Sequence, residues 1–372
     1  MKLVANAEAL HDAFQYAGSI ITSSLDGTIY KNVKLEAGPE QTILSSSDME
    51  VGLRVQAEGV EVQEEGVVLV PEENVSRILD DTLDEQVTLE TEDENALQIR
   101  SSDGYFRILS HPTEDFQDLE VPEDRGKVEV DPELYSYMVR RTTFAAAAER
   151  GRYALHGILL VLEEDGTLKI VAADGRRLAT VTKKANNPDG EEFWCLVPKK
   201  GIQQTARLAK LSDEPLWMTA TEGKFFAGND RGMVGCVLVE GQFPDYKSIM
   251  PASPKYTVEL PTRVLLSAVR RTGYMTTSET KAVDFQLQPG KLVISSESPE
   301  LGQGEVEMEI DYDGEEGEVT FNPNLLEDML SLVERESVKF QFNDPESPCM
   351  FKSGFDYTYL ISPIVPDEGS EG

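Results

Sequence analysis

The chain has 372 residues, 40% of them hydrophobic, which supports globular folding but is too long for one ordinary core, so two or three domains are expected. A formal net charge of −34 excludes a broadly basic nucleic-acid surface and confines any DNA contact to a local face where Lys and Arg collect. No run approaches the ~18–20 apolar residues of a membrane span, the N-terminal MKLVANAEALHDAF has no apolar signal core, and a cytoplasmic protein with no membrane partner is expected.

In chain order, LVANAEALHDAFQYA from Leu3 reads as a short strand, a polar helix start and an amphipathic helix. Alternating segments with turn signals follow, TIYKNVKLEAGPEQTILSSSDMEVGLRV, and predict antiparallel strands. LVPEENVSRILDDTL from Leu69 predicts a second helix, and DFQDLEVP from Asp115 closes the first third. The same order returns. VEVDPELYSYMVRRT opens the middle third, and LHGILLVLEEDGTLKIVAADGRRLATV supplies strands. Within it, Asp174-Gly175 predicts a tight two-residue hairpin, because these residues tolerate positive φ. LVPKKGIQQTARLAKL and GQFPDYKSIMP complete the copy. YTVELPTRVLLSAVRRT, KAVDFQLQPGKLVISSESPELGQGEVEMEI and FNPNLLEDMLSLV form the third. Pro132 and Pro261 suit a first helical turn, where a missing N–H costs nothing.

The repeat has a fixed offset. Pro71 and Pro198 stand 127 positions apart, and so do Phe116 and Phe243. The fold expected is α+β: three repeated domains, each with two helices and about eight short antiparallel strands in two βαβββ halves. Boundaries are expected near Asp124–Lys127 and Ala252–Lys255, giving domains 1–125, 126–253 and 254–366 and an acidic tail, 367–372.

RYALHGILLVLEEDGTLKIVAADGRRLATV, GQFPDYKSIMP, LVPKKG, TFNPNLLEDML and the terminal YLISPIV, in that order on a threefold repeat, resemble the bacterial DNA polymerase III beta subunits, the beta sliding clamps. The resemblance covers nearly the whole chain. It implies a DNA clamp fold and a head-to-tail ring of two chains around duplex DNA, acting as a processivity factor. The implied partners are the polymerase III catalytic subunit, the clamp loader and other proteins carrying short clamp-binding motifs. A diverged clamp serving repair or another partner is the alternative. Twelve helices spaced ~10 Å apart make a circle about 120 Å around and leave a hole near ~28 Å, against roughly 20 Å for duplex DNA.

The resemblance also assigns residues. The partner-peptide pocket would comprise Leu155, Ala173, Gly175, Arg176, Arg177 and Leu178, then Pro244 and Ile249, then Asn322, Leu325, Pro348, Leu360, Ile361 and Ile364. Leu155 and Leu178 would give an apolar floor, and the stems of Arg176 and Arg177 a wall with guanidinium groups free at the rim. The DNA channel would use Arg140, Arg141, Arg150, Arg152, Tyr153, Lys199, Lys200, Arg207, Lys210, Arg270 and Arg271, which attract phosphates without reading sequence. The dimer would close through Phe106 and Ile108 against the Met275 region. Departures from the family pattern are Glu72-Glu73 where basic residues are expected, Ser248 in place of a basic residue, Ser362 in place of an apolar one, and the VPDEGSEG end. They imply an altered peptide preference and little DNA contact from the first domain.

Nothing in the chain points to an enzyme. No Gly-x-Ser-x-Gly elbow is present, LGQGEVE lacks the third glycine of a dinucleotide loop, and ETEDENALQ has no EF-hand spacing. Cys195, Cys236 and Cys349 lack zinc spacing and are odd in number for disulfides, so buried thiols are expected; His11, His111 and His156 are scattered. No cofactor, metal or catalytic residue is assigned.

Overall fold

The computed structural model describes residues 1–21, 28–92, 96–122, 128–149, 151, 153–251, 253–277 and 281–365. The expected boundary at 124–127, Ala252, Arg150, Arg152 and the tail 367–372 lie outside the described residues.

The first repeat runs β1 (Lys2–Asn6), α1 (Ala7–Gly18), β2 (Asn32–Ala37), β3 (Thr42–Ser47), β4 (Val51–Ala57), β5 (Val60–Glu64), β6 (Gly66–Pro71), α2 (Glu72–Asp80), β7 (Gln86–Glu92), β8 (Ala96–Arg100) and β9 (Tyr105–Leu109). The middle repeat runs β10 (Val128–Val130), α3 (Pro132–Arg140), β11 (Gly157–Leu162), β12 (Thr167–Ala173), β13 (Arg177–Lys184), β14 (Phe193–Pro198), α4 (Lys199–Ala209), β15 (Leu216–Thr221), β16 (Lys224–Asn229) and β17 (Gly232–Val237). The last runs β18 (Tyr256–Pro261), α5 (Thr262–Gly273), β19 (Val283–Gln288), β20 (Lys291–Ser298), β21 (Gly302–Glu309), β22 (Gly317–Phe321), α6 (Pro323–Leu330), β23 (Ser337–Phe342), β24 (Cys349–Ser353) and β25 (Tyr357–Ile361). Each repeat is βαβββ twice over; the first carries β5 in addition, paired with β1.

Local rules explain the elements. Asn6 caps α1 by accepting the Ala9 N–H at 2.9 Å, and Leu10, Phe14 and Ala17 then bury one helical face. In α4, Ile202, Thr205, Ala206 and Ala209 turn inward while Gln203, Arg207 and Lys210 are exposed. Pro132 begins α3 as expected, but Pro261 ends β18 and precedes the first turn of α5. Its fixed φ suits an extended residue equally well, and its missing N–H is harmless in both places.

The chain forms two compact units, one of residues 1–136, 164–166 and 185–239, the other of 137–163, 167–184 and 240 onward. The middle repeat supplies residues to both. The first unit holds a five-stranded sheet, β5-β1-β7-β8-β9, and a second sheet in the order β10-β15-β16-β17-β4-β3-β2-β6. The second unit holds β21-β20-β19-β22 and the run β11-β12-β13-β25-β24-β23-β18. All the paired strands that position the sites below are antiparallel. The second unit's core includes stacked Phe340, Phe342 and Phe351, with Phe285 and Phe321 edge-on; each such burial contributes ~1.5–3 kcal/mol. All three cysteines are buried thiols, and burial pushes Cys195 and Cys349 up to about 12.

Candidate partner-binding cleft

The connection between β12 and β13 is wider than a two-residue turn. Ala173 pairs with Leu178, and the four residues between are closed by the Asp174 N–H donating to the Arg177 carbonyl at 3.2 Å. Asp174 Oδ1 also accepts the N–H groups of Arg176 and Arg177, at 2.9 and 3.0 Å. This Asx arrangement competes with the predicted tight turn and wins. Gly175, at φ +91°, supplies the left-handed residue the turn needs. No atom lies within 4 Å of where its Cβ would stand, so the backbone is open to a ligand.

Beside this turn is a cleft of about 110 Å³. Leu155, Ala173 and the turn residues Gly175 to Leu178 form one side, with Leu178 paired across strands to Leu360. Pro244 and Ile249 form the second side, and Pro348, Leu360 and Ile361 the third. The structure thus brings together eleven of the residues named from the sequence. Asn322, Leu325 and Ile364 stand outside the lining. Asn322 instead caps α6 by accepting the Asn324 N–H at 3.0 Å, Leu325 accepts the Tyr359 hydroxyl at 2.7 Å, and the Ile364 N–H donates to Thr320 at 2.8 Å.

Ser362, noted as a departure from the family pattern, also lines the cleft, and three further lining residues were missed: Phe243, Asp245 and Tyr246. All three belong to the same FPDY segment as Pro244, so the segment as a whole was the available signal. Burial raises the Tyr246 phenol above its ordinary range and keeps it neutral.

The two arginines differ. Arg176 is exposed at the rim, as expected. Arg177 is not free. Its Nε bonds Asp174 at 3.0 Å, Nη1 bonds Asp328 at 2.6 Å, Nη2 donates to the Phe144 carbonyl at 3.1 Å, and the guanidinium lies 5.2 Å from the Phe144 ring centre. Burial opposes its charge, but the bond to Asp328 and the surrounding acidic groups outweigh it, so Arg177 stays ionised. Phe144 in turn stacks on Tyr359 at 6.0 Å, beneath the strand that carries Leu360. Arg177 is therefore a fixed wall.

The basic residues separate similarly. Arg207, Lys210 and Arg271 are exposed on α4 and at the end of α5; Lys199 is half-buried; Tyr153 is 43% exposed. Arg140 is exposed but bonded to Glu334 at 2.6 Å, and Arg270 to Glu327 at 2.8 Å. Two assignments are corrected. Arg141 is only 2% exposed, 4.2 Å from the Tyr137 ring centre and 5.7 Å from that of Tyr357, which makes it a core residue unable to reach a phosphate. Lys200 is drawn inward to Asp48 and the Ile20 carbonyl.

In each unit the residues assigned to the joint lie on or against an edge strand that is paired on one side only. In the first it is β9, where Tyr105, Phe106 and Leu109 are exposed while Ile108 is nearly buried against its own sheet. In the second it is β21, and Met275 packs on it, its Cγ 3.0 Å from where Gly304 would carry a Cβ.

A threefold α+β repeat with exposed basic residues on its helices, open sheet edges and a small apolar cleft defines a protein of the DNA clamp fold. Family models for the DNA polymerase III beta subunit match it throughout: the N-terminal domain over residues 1–120, the central domain over 129–245 and the C-terminal domain over 247–364. The beta sliding clamp of Pseudomonas aeruginosa is 27% identical over 98% of this chain and 100% of its own length. A crystal structure of that organism's DnaN sliding clamp bound to griselimycin has a TM-score of 0.91 at 27% identity, covering 98% of this chain and 99% of that one. A Thermotoga maritima DNA polymerase III beta subunit has a TM-score of 0.90 at 25% identity, with coverage of 98% and 99%. The chain belongs to the DNA polymerase III beta subunit family, the beta sliding clamps, which serve DNA replication as processivity factors.

Proposed function

We propose that two copies of this chain close into a ring around duplex DNA and tether the replicative polymerase and other proteins through short peptides bound in the Leu178–Leu360 cleft. The observation that carries the tethering role is the cleft itself: apolar floor, open backbone at Gly175, and a rim cation at Arg176. A peptide of the Gln-x-x-Leu-Phe kind would seat Leu and Phe on Leu155, Leu178 and Leu360 while its backbone passes Gly175. Closure pairs β9 of one chain with β21 of its partner, satisfying edges that otherwise remain open. Arg207, Lys210, Arg271 and Lys199 supply loose phosphate contacts, compatible with sliding because they read no base.

Protein loaded on a nicked circle should be retained and should be lost when the circle is linearised. Equal retention on linear duplex would contradict encirclement. Calorimetry with the Gln-x-x-Leu-Phe peptide, expected to give one equivalent per chain, tests the cleft separately.

A further inference from the structure

The cleft has a twin in the first unit. The turn between β3 and β4 repeats the frame of the β12–β13 turn bond for bond. The Asp48 N–H donates to the Val51 carbonyl at 2.9 Å, and Asp48 Oδ1 accepts the N–H groups of Glu50 and Val51 at 2.8 and 2.6 Å, as Asp174 does for Arg176 and Arg177. The Val237 N–H donates to the Glu50 carbonyl at 2.9 Å, where the Ser362 N–H donates to Arg176 at 2.8 Å. Phe116 and Asp118 stand at the repeat offset from Phe243 and Asp245.

One difference decides what the twin holds. Where Leu178 faces Leu360, the first unit pairs Gly52 with Gly235. The missing side chains leave a cradle, and Leu119 of the following linker enters it, with a cavity of about 220 Å³ beside it lined by the turn and the linker. Its Cδ1 lies 3.0 Å from where Gly52 would carry a Cβ and 2.6 Å from where Gly235 would. Two lysines clasp the linker on either side of that leucine. Lys34 of β2 bonds both Asp118 oxygens at 2.7 and 2.8 Å, with the Phe116 ring centre 5.7 Å away, and Lys224 of β16 pairs with Glu120. A leucine flanked by carboxylates and preceded by Gln117 thus lies in a groove with a peptide-site backbone.

We propose that Phe116–Glu120 is a built-in ligand that occupies the cradle of a second peptide groove through Leu119. The groove's own chemistry, an apolar cradle between Lys34 and Lys224, selects a leucine bracketed by acidic residues. This rests on the reading of the Leu178–Leu360 cleft as a peptide site. A tethered segment is present at about millimolar effective concentration, so a free peptide does not displace it.

The test uses the full chain carrying Ile249→Asp, which silences the other cleft, and a fluorescent peptide of the linker's own sequence, Phe-Gln-Asp-Leu-Glu-Val. With the linker intact, no saturable binding is expected. With Asp118, Leu119 and Glu120 all changed to Ala, one equivalent should bind, and Lys224→Ala should weaken it about tenfold. Leu119→Ala alone, a milder change in a coil segment, should give the same new equivalent if the triple variant folds poorly. Absence of binding in a variant that still melts cooperatively would overturn the proposal, as would binding to the chain with its linker intact. Neither result depends on the Gln-x-x-Leu-Phe titration of the chain without these changes, so failure of that peptide would count against the cleft alone.

Discussion

Arg177 donates to Asp328 at 2.6 Å, fixing the end of the β12–β13 turn to α6. The partner carboxylate is half exposed, so its contribution to stability is small, but it holds the wall of the cleft in one rotamer. Asp328→Ala should leave thermal stability nearly unchanged and weaken peptide binding about three- to tenfold, measured by calorimetry. Unchanged affinity would mean that Asp174 and Phe144 alone orient the arginine.

Leu178 and Leu360 are unsuitable probes of binding, because each is almost fully buried and a charge there would cost the fold itself. Ile249 is 48% exposed at the lip of the cleft. Ile249→Asp should reduce peptide affinity at least about tenfold with little change in melting temperature, since no internal contact of the core is lost. Tight binding by this variant would remove the FPDY segment from the site.

For the ring joint, the same reasoning favours Phe106 over Ile108. Ile108 pairs with Leu97 inside its own sheet, whereas Phe106 presents 45% of its surface outward. Phe106→Asp should convert a dimer to a folded monomer of the chain's 41.2 kDa mass in light scattering at micromolar concentration. A dimer that survives would place the joint elsewhere.

Buried and exposed cations should behave oppositely. Arg141→Ala removes a buried cation packed on two tyrosines and should cost about 2–4 kcal/mol of stability, visible in a thermal melt. Arg207→Ala with Lys210→Ala should leave the melt unchanged. It should reduce the slope of log K against log salt for DNA by up to about two. A steep slope retained by the double variant would exclude α4 from the channel.

These contrasts show what was legible in sequence. The repeat and its strands were, because Pro71 and Pro198, or Phe116 and Phe243, carry the offset openly. Direction was harder. Arg140 and Arg141 look equivalent as a pair, yet neighbours on a helix point ~100° apart, and only one can face solvent. Lys200 turns to Asp48, a residue far away in sequence. The Arg177 anchor depends on Asp328 from a different element, and the Leu119 cradle on two glycines from different strands. Neither pairing leaves a local pattern.

The open strands β9 and β21 carry a kinetic consequence. They belong to different sheets, so the joint proposed above would use one edge of each and leave one of each kind at the ends. That half-closed pair could accept a third chain or meet itself, and at low concentration the tethered ends favour meeting itself. Whether chains finish as closed pairs or grow into filaments then rests on chain concentration, with the bonding at every joint identical. Crowding many chains together would lengthen the assembly without altering any contact within it.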